Sequence, residues 1–355
     1  MRPRPARRAK PPAKLTADEV NQRYLESLAK KSKGKRGGVV YRRLLESVAP
    51  LHEERITRLQ AEGHPSPAIG ALDSLGDILR AAYGPVLADI ERSLPEQPDA
   101  SEEEKAKLRQ KRMQAVKSNA GKIFERYVGY AIARALVGTG WAVWHNSRDA
   151  KRVFGFDPRE WLTVTKEFGD NTVTVDIEGD LLIARPNDEH GSLVLLSVKS
   201  SLKDRLHNVP MWNLVKEIAL DDGMSRKLGL TARNPDKLRR VVYCLACSDI
   251  AEEQRDLDVD PRAKIKFDVA LLDYAFASVA SPDATHLSEV ISAEGREGTF
   301  FHRLSAIGRI LEYITRRADE GREVSAAEVV RVVREPAEEV RPKALPPLRR
   351  GELGQ

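Results

Sequence analysis

Residues 172–199 read TVTVDIEGDLLIARPNDEHGSLVLLSVK, and the fold turns on how this stretch is read. Its period changes along its length. Residues 172–177 alternate between Thr or Asp and Val or Ile, the two-residue repeat of a strand. Gly179 and Asp180 follow, then the apolar run 181–184. A polar turn over 185–191 leads into a second run, 193–199, which is apolar apart from Ser197 and Lys199. Two such runs joined by a short polar loop predict paired strands.

The pattern on either side completes the architecture. Upstream, Ser101-Glu102-Glu103-Glu104 has the form of a capping box and opens a helix that reaches about residue 137, with an interruption expected near Ser118–Gly121. Its stripe of Ile123, Phe124, Tyr127, Val128, Ala131, Ile132, Ala135 and Leu136 recurs at helical spacing. Downstream, the spacing predicts a helix over 211–220, strands near 241–247 and 267–272, and an amphipathic helix over 300–317. The order helix, hairpin, helix and two strands predicts an α/β fold: a mixed central sheet flanked by helices, with a helical N-terminal region. In that region Thr16-Ala17-Asp18-Glu19 is a second capping box, opening a helix to about Lys31. A Gly- and Lys-rich break follows at 31–38, then two or three further helices before residue 94 and a polar linker at 95–100.

Charge is distributed unevenly. Residues 1–43 carry 14 Lys and Arg against three Asp and Glu, a net of +11, which leaves −5 for the rest of a chain totalling +6. A cationic arm, expected to be disordered over 1–14, on a mildly acidic body fits a polyanionic partner; a solubilising tail would carry the same charge. No apolar run approaches the ~20 residues of a membrane span, and the N-terminus lacks the apolar centre of a signal peptide, so a cytoplasmic protein is expected. The two cysteines, Cys244 and Cys247, have CxxC spacing. No second pair of ligands with zinc spacing accompanies them. Within the apolar run 241–247 they read as core residues.

The chemistry-bearing position is Lys199. An ammonium at the end of an apolar strand is costly unless it is paired. Ser197 lies two residues earlier and shares its face. Asp180 begins the partner strand, so a hairpin brings it toward Lys199. A carboxylate and a lysine at strand ends suit metal-assisted phosphodiester hydrolysis, in which carboxylates hold Mg²⁺ and the lysine orients water or offsets charge. A plain Asp–Lys pair at a strand end is the structural alternative. Glu125, beside the apolar stripe of the long helix, and Glu217, in the helix after Lys199, are candidate further carboxylates; each alone would be an ordinary surface residue. Lys203, Asp204 and Arg205 directly follow. Lys and Arg donate to guanine O6 and N7, and Asp accepts from cytosine N4.

Taken in order, these residues resemble the CCGG-cutting type II restriction endonucleases of the PD-(D/E)xK superfamily. The resemblance covers about residues 120–275 and rests on four segments: Ala120–Glu125, Gly179-Asp180-Leu181-Leu182-Ile183, Ser197-Val198-Lys199, and Lys203-Asp204-Arg205. It implies that Ser197 stands where the superfamily's second acid usually does, with the lost carboxylate supplied from the next helix by Glu217. Asn213, one turn earlier on the same face, is the competing position. It further implies Mg²⁺ held by Asp180 and Glu217, with Glu125 assisting through the metal shell, catalysis by Lys199, and base reading by Lys203, Asp204 and Arg205. Double-stranded DNA would be the substrate, cut at a short G·C-rich palindrome by a homodimer or tetramer, with a cognate DNA methyltransferase as genetic partner. Gly179 stands where the motif's proline would, and Lys203 where the family has arginine. The implied organisation is an arm and helical region over 1–100, a nuclease domain over 101–320 with a restriction-endonuclease-like core, and a C-terminal helix and tail over 321–355. A PD-(D/E)xK nuclease of repair or of a mobile element, and a non-catalytic DNA-binding protein, are the alternatives.

Overall fold

A computed structural model describes residues 14–30, 36–79, 81–82, 101–199, 208–248, 271–278 and 302–329. The chain opens with α1 (Ala17–Lys30) and α2 (Arg36–Ala61), then α3 (Pro67–Gly70). The Thr16 capping box forms: Glu19 Oε2 accepts from the Thr16 N–H at 2.7 Å, and Thr16 Oγ1 accepts from the Glu19 N–H at 3.3 Å. The long helix α4 (Glu102–Ala135) starts on the capping box of Ser101 and Glu104.

Contrary to the sequence reading, α4 is continuous through residues 118–121. A glycine in a helix costs about 1 kcal/mol relative to alanine. The burial of Ile123, Phe124, Tyr127, Val128, Ala131 and Ile132 just beyond it outweighs so small a local penalty. Gly129 is needed for another reason: a Cβ there would lie 1.9 Å from the Tyr24 hydroxyl, so α1 can cross α4 closely only over a glycine.

Beyond α4 come β1 (Ala142–His145), α5 (Ala150–Phe154), α6 (Arg159–Leu162), β2 (Thr163–Phe168), β3 (Asn171–Asp176), β4 (Leu181–Ala184) and β5 (Leu193–Lys199). Then follow α7 (Asn208–Leu220), α8 (Asp222–Leu228), β6 (Leu230–Ala232), α9 (Pro235–Leu238), β7 (Val241–Ser248), β8 (Tyr274–Ser278), β9 (His302–Arg303) and α10 (Ala306–Asp319). The main sheet has the order β1-β4-β5-β7-β8-β9. It is mixed: β1, β4 and β5 pair antiparallel, whereas β5, β7, β8 and β9 run parallel. The expected hairpin forms with Leu182 opposite Leu195. An α/β architecture with a mixed sheet and flanking helices is therefore correct.

Each face of the sheet is covered by a different set of elements. Leu181, Ile183, Leu196 and Val198 share a core with α1, α4 and α10, including Tyr24, Phe124 and Ile310. Leu182, Leu195, Tyr243 and Leu245 form a second core with Val209 and Ala219 of α7. The cysteines are both free and buried, and they fall on opposite faces: Cys244 in the first core, Cys247 in the second. An odd spacing on a strand separates them in this way, so they act as packing residues.

The alternating run 172–177 forms a strand as its period predicts, and this strand, β3, is largely exposed and pairs with β2 in a separate sheet of order β3-β2-β6. One strand expectation is corrected. The strand expected over 267–272 begins later, at Tyr274, and residues 271–273 form a turn; residues 267–270 lie outside the described residues. The turn serves to place Asp273. Its Oδ2 accepts from Lys216 Nζ at 2.5 Å and from the Tyr243 N–H at 2.7 Å, while Lys216 Nζ also donates to the Val241 carbonyl at 3.2 Å. Lys216 is 1% exposed, so this ion pair fastens α7 to the sheet from within. Truncating one partner of a buried pair strands the other charge. Lys216→Ala is expected to cost about 3–5 kcal/mol of unfolding free energy, read from urea denaturation midpoints. A loss below about 1 kcal/mol, the range of exposed pairs, would show that the pair is solvated.

Candidate active site

The turn from β3 to β4 sets the site. Gly179 lies directly over Leu195, where a Cβ would come within 2.4 Å of Leu195 Cδ1; only glycine lets the turn sit this low. Asp180 is then clamped through its backbone. Its N–H donates to the Leu196 carbonyl at 2.9 Å, and its carbonyl accepts from the Asn146 N–H at 3.1 Å. The carboxylate faces the end of β5, where three donors reach one oxygen. Asp180 Oδ2 accepts from the Val198 N–H at 2.6 Å, from Lys199 Nζ at 2.8 Å and from Ser197 Oγ at 3.3 Å. The Asp180 and Lys199 side chains are 26% and 20% exposed. They are thus partly withdrawn from water yet open enough to meet a ligand. The sequence reading of Asp180, Ser197 and Lys199 as neighbours holds.

The phenol of Tyr243, missing from the sequence reading, lies beneath this group. Tyr243 is fully buried on β7, in register with Leu195, and its hydroxyl donates to the Glu178 carbonyl at 2.8 Å. Burial pushes its ionisation well above the ordinary tyrosine range, and the charges of Asp180 and Glu178 push it further; a hydrogen bond with Ser197 acts in the opposite sense. Tyr243 is therefore a neutral donor. A polar tip inside an otherwise apolar run is the signal that could have found it, since a buried phenol must find a partner.

Among the described residues no three His, Cys, Asp or Glu side chains gather as a metal-binding group. Glu125 lies on the α4 side of the sheet, with its Oε1 3.9 Å from His145 Nδ1, and the His145 ring packs 4.8 Å from that of Tyr24. His145 precedes Asn146, whose N–H bonds the Asp180 carbonyl. Glu217 has a side chain 57% exposed and lies 3.3 Å from Lys216 Nζ. Asn213 is buried, and its Nδ2 donates to the Leu271 carbonyl at 2.7 Å. Its role is to join α7 to the turn before β8. Lys203, Asp204 and Arg205 lie outside the described residues, as do residues 1–13 of the basic arm.

Compared with protein-family models the chain matches none, and no curated protein matches it. Function is therefore read from Asp180, Ser197, Lys199 and their surroundings. A carboxylate with a lysine ammonium beside it, at the end of two apolar strands, can hold a cation and a water near a phosphate. Mg²⁺ fits such a site. It is commonly held by only one or two carboxylates, and it completes its shell with waters and substrate phosphate oxygens. Asp180 supplies one carboxylate, and the Val198 carbonyl is a further oxygen on the same strand end. No helix among the described residues is long and apolar enough to cross a membrane.

Proposed function

We propose that this chain is a Mg²⁺-dependent DNA endonuclease of the PD-(D/E)xK kind, acting as a type II restriction enzyme in the cytoplasm. The observation that carries the reading is the convergence of Val198 N–H, Lys199 Nζ and Ser197 Oγ on Asp180 Oδ2. Lys199, one of these three donors, thus stands beside the carboxylate at a strand end, which supports reading Ser197-Val198-Lys199 as the catalytic triplet. The mixed sheet, with α4 packed against one face and α7 against the other, is compatible with a restriction-endonuclease-like core.

In this reading Asp180 and the Val198 carbonyl would hold the ion. Bound there, Mg²⁺ supplies charge that polarises the phosphoryl group and acidifies water. Lys199 orients the attacking water and offsets the charge that develops on the phosphate. Ser197 steadies the Asp180 carboxylate. Glu125 of α4, 3.9 Å from His145 Nδ1, would assist through the metal shell, and Glu217, exposed on α7, would be the further carboxylate for the ion. Lys203, Asp204 and Arg205 read bases in the major groove of a G·C-rich palindrome with a CCGG or CC-x-GG core. Cutting both strands calls for two copies related by a twofold axis, as a homodimer or within a tetramer, and a cognate methyltransferase protects the host DNA.

The test is direct. Pure protein incubated with phage DNA and Mg²⁺ is expected to give discrete bands, suppressed by a chelator. DNA that stays intact across a range of Mg²⁺ and salt would overturn the nuclease reading. A smear would leave a nuclease without site specificity and remove the restriction assignment.

A further inference from the structure

We infer that Tyr243 is a positioning residue, whose hydroxyl fixes the Glu178-Gly179-Asp180 turn and so sets the cation affinity of Asp180. This rests on the reading of Asp180 as an ion-binding residue, and it adds a determinant two strands away in the sheet order, beyond the residues of the motif.

Three observations support it. Tyr243 is fully buried on β7, so its hydroxyl cannot trade partners with water. That hydroxyl donates to the Glu178 carbonyl at 2.8 Å, two residues before the carboxylate that accepts all three donors. The rest of the turn is held close by. Gly179 presses on the Leu195 side chain, and Asp180 is tied by its own backbone to Leu196 and Asn146. The segment between Ile177 and Asp180 is thus pinned from below by a phenol reaching across β5. The Tyr243 ring is fully buried and its backbone is anchored as well, the Tyr243 N–H donating to Asp273 Oδ2, which also accepts from Lys216 Nζ. Removing the hydroxyl leaves the Glu178 carbonyl without that donor and lets the turn, with its carboxylate, relax. An ion that demands near-ideal geometry is sensitive to such a shift.

The experiment compares wild type, Tyr243→Phe, Asp180→Ala and a control, Tyr274→Phe. Tyr274 loses an equivalent buried bond, its hydroxyl donating to the Val329 carbonyl at 2.6 Å, but it stands one strand further out, on β8, and packs in the core on the other face of the sheet. Mn²⁺ binding to each protein alone is followed by electron paramagnetic resonance, and the Mg²⁺ midpoint of DNA cleavage is measured in parallel. Tyr243→Phe is expected to weaken Mn²⁺ at least ~5-fold and to raise the Mg²⁺ midpoint by a similar factor, about 1 kcal/mol at ~1.4 kcal/mol per tenfold. Its maximal rate should recover in excess Mg²⁺. Tyr274→Phe should match wild type in both, which a merely destabilising role for Tyr243 would not predict. If wild type binds Mn²⁺ and cuts while Tyr243→Phe does so at the same concentrations, the inference falls and the nuclease reading stands. If wild type neither binds Mn²⁺ nor cuts, the nuclease reading falls and takes this inference with it.

Discussion

Asp180→Ala should abolish cleavage while leaving DNA affinity nearly unchanged. The carboxylate is the point on which Val198, Lys199 and Ser197 converge, and in the proposed mechanism it holds the ion rather than the DNA. A loss of about 10³-fold or more in the single-turnover rate is expected, which corresponds to about 4 kcal/mol at ~1.4 kcal/mol per tenfold. Asp180→Asn is the sharper form of the test. It keeps the shape and an oxygen for the Val198 N–H, but it removes the charge that both Lys199 and a divalent cation require. Binding measured with Ca²⁺ in place of Mg²⁺ separates affinity from chemistry. Cleavage at the wild-type rate by either folded variant would end the assignment of Asp180 to the ion.

Lys199→Ala is expected to slow the chemical step by about 10²–10⁴-fold, the usual contribution of a positioned proton-transfer or charge-stabilising group. Nζ sits 2.8 Å from Asp180 Oδ2 at the end of β5, and in the proposed mechanism its truncation removes the cation that would face the reacting phosphate. The Mg²⁺ midpoint, in contrast, should fall or stay level, because the ammonium and the divalent ion compete for the same carboxylate. Lys199→Arg should not restore the rate, since a planar guanidinium cannot occupy the place of a compact ammonium. An unchanged single-turnover rate in Lys199→Ala would reduce the pair to a structural salt bridge at a strand end.

These two positions are legible in the amino-acid sequence, and the reason is local. Asp180 and Lys199 lie at the facing ends of one hairpin, and a hairpin's register follows from its turn and its apolar pattern. The capping boxes at Thr16 and Ser101 are legible for the same reason, since the groups that satisfy them lie three residues apart. The interruption expected in α4 fails because local propensity at Gly121 is worth about 1 kcal/mol, and the burial of the following stripe exceeds it. The strands β1, β2 and β6 leave little trace, being as short as three residues and carrying mixed patterns such as TVTKEF.

The α/β class, the hairpin, and the meeting of Asp180, Ser197 and Lys199 are thus written in the chain's local pattern, because each depends on contacts within one turn or between adjacent strands. The remaining features depend on long-range packing. Whether Glu125 and Glu217 face Asp180 depends on the side of the sheet on which a helix packs and on its rotation about its axis, and neither is encoded in spacing along the helix. Packing turns Glu125 toward His145 and Glu217 toward Lys216 and solvent. Tyr243 is hidden in the sequence for a related reason. Its partner, the Glu178 carbonyl, lies 65 residues away in the chain, and it takes the strand order β4-β5-β7 to bring the two together.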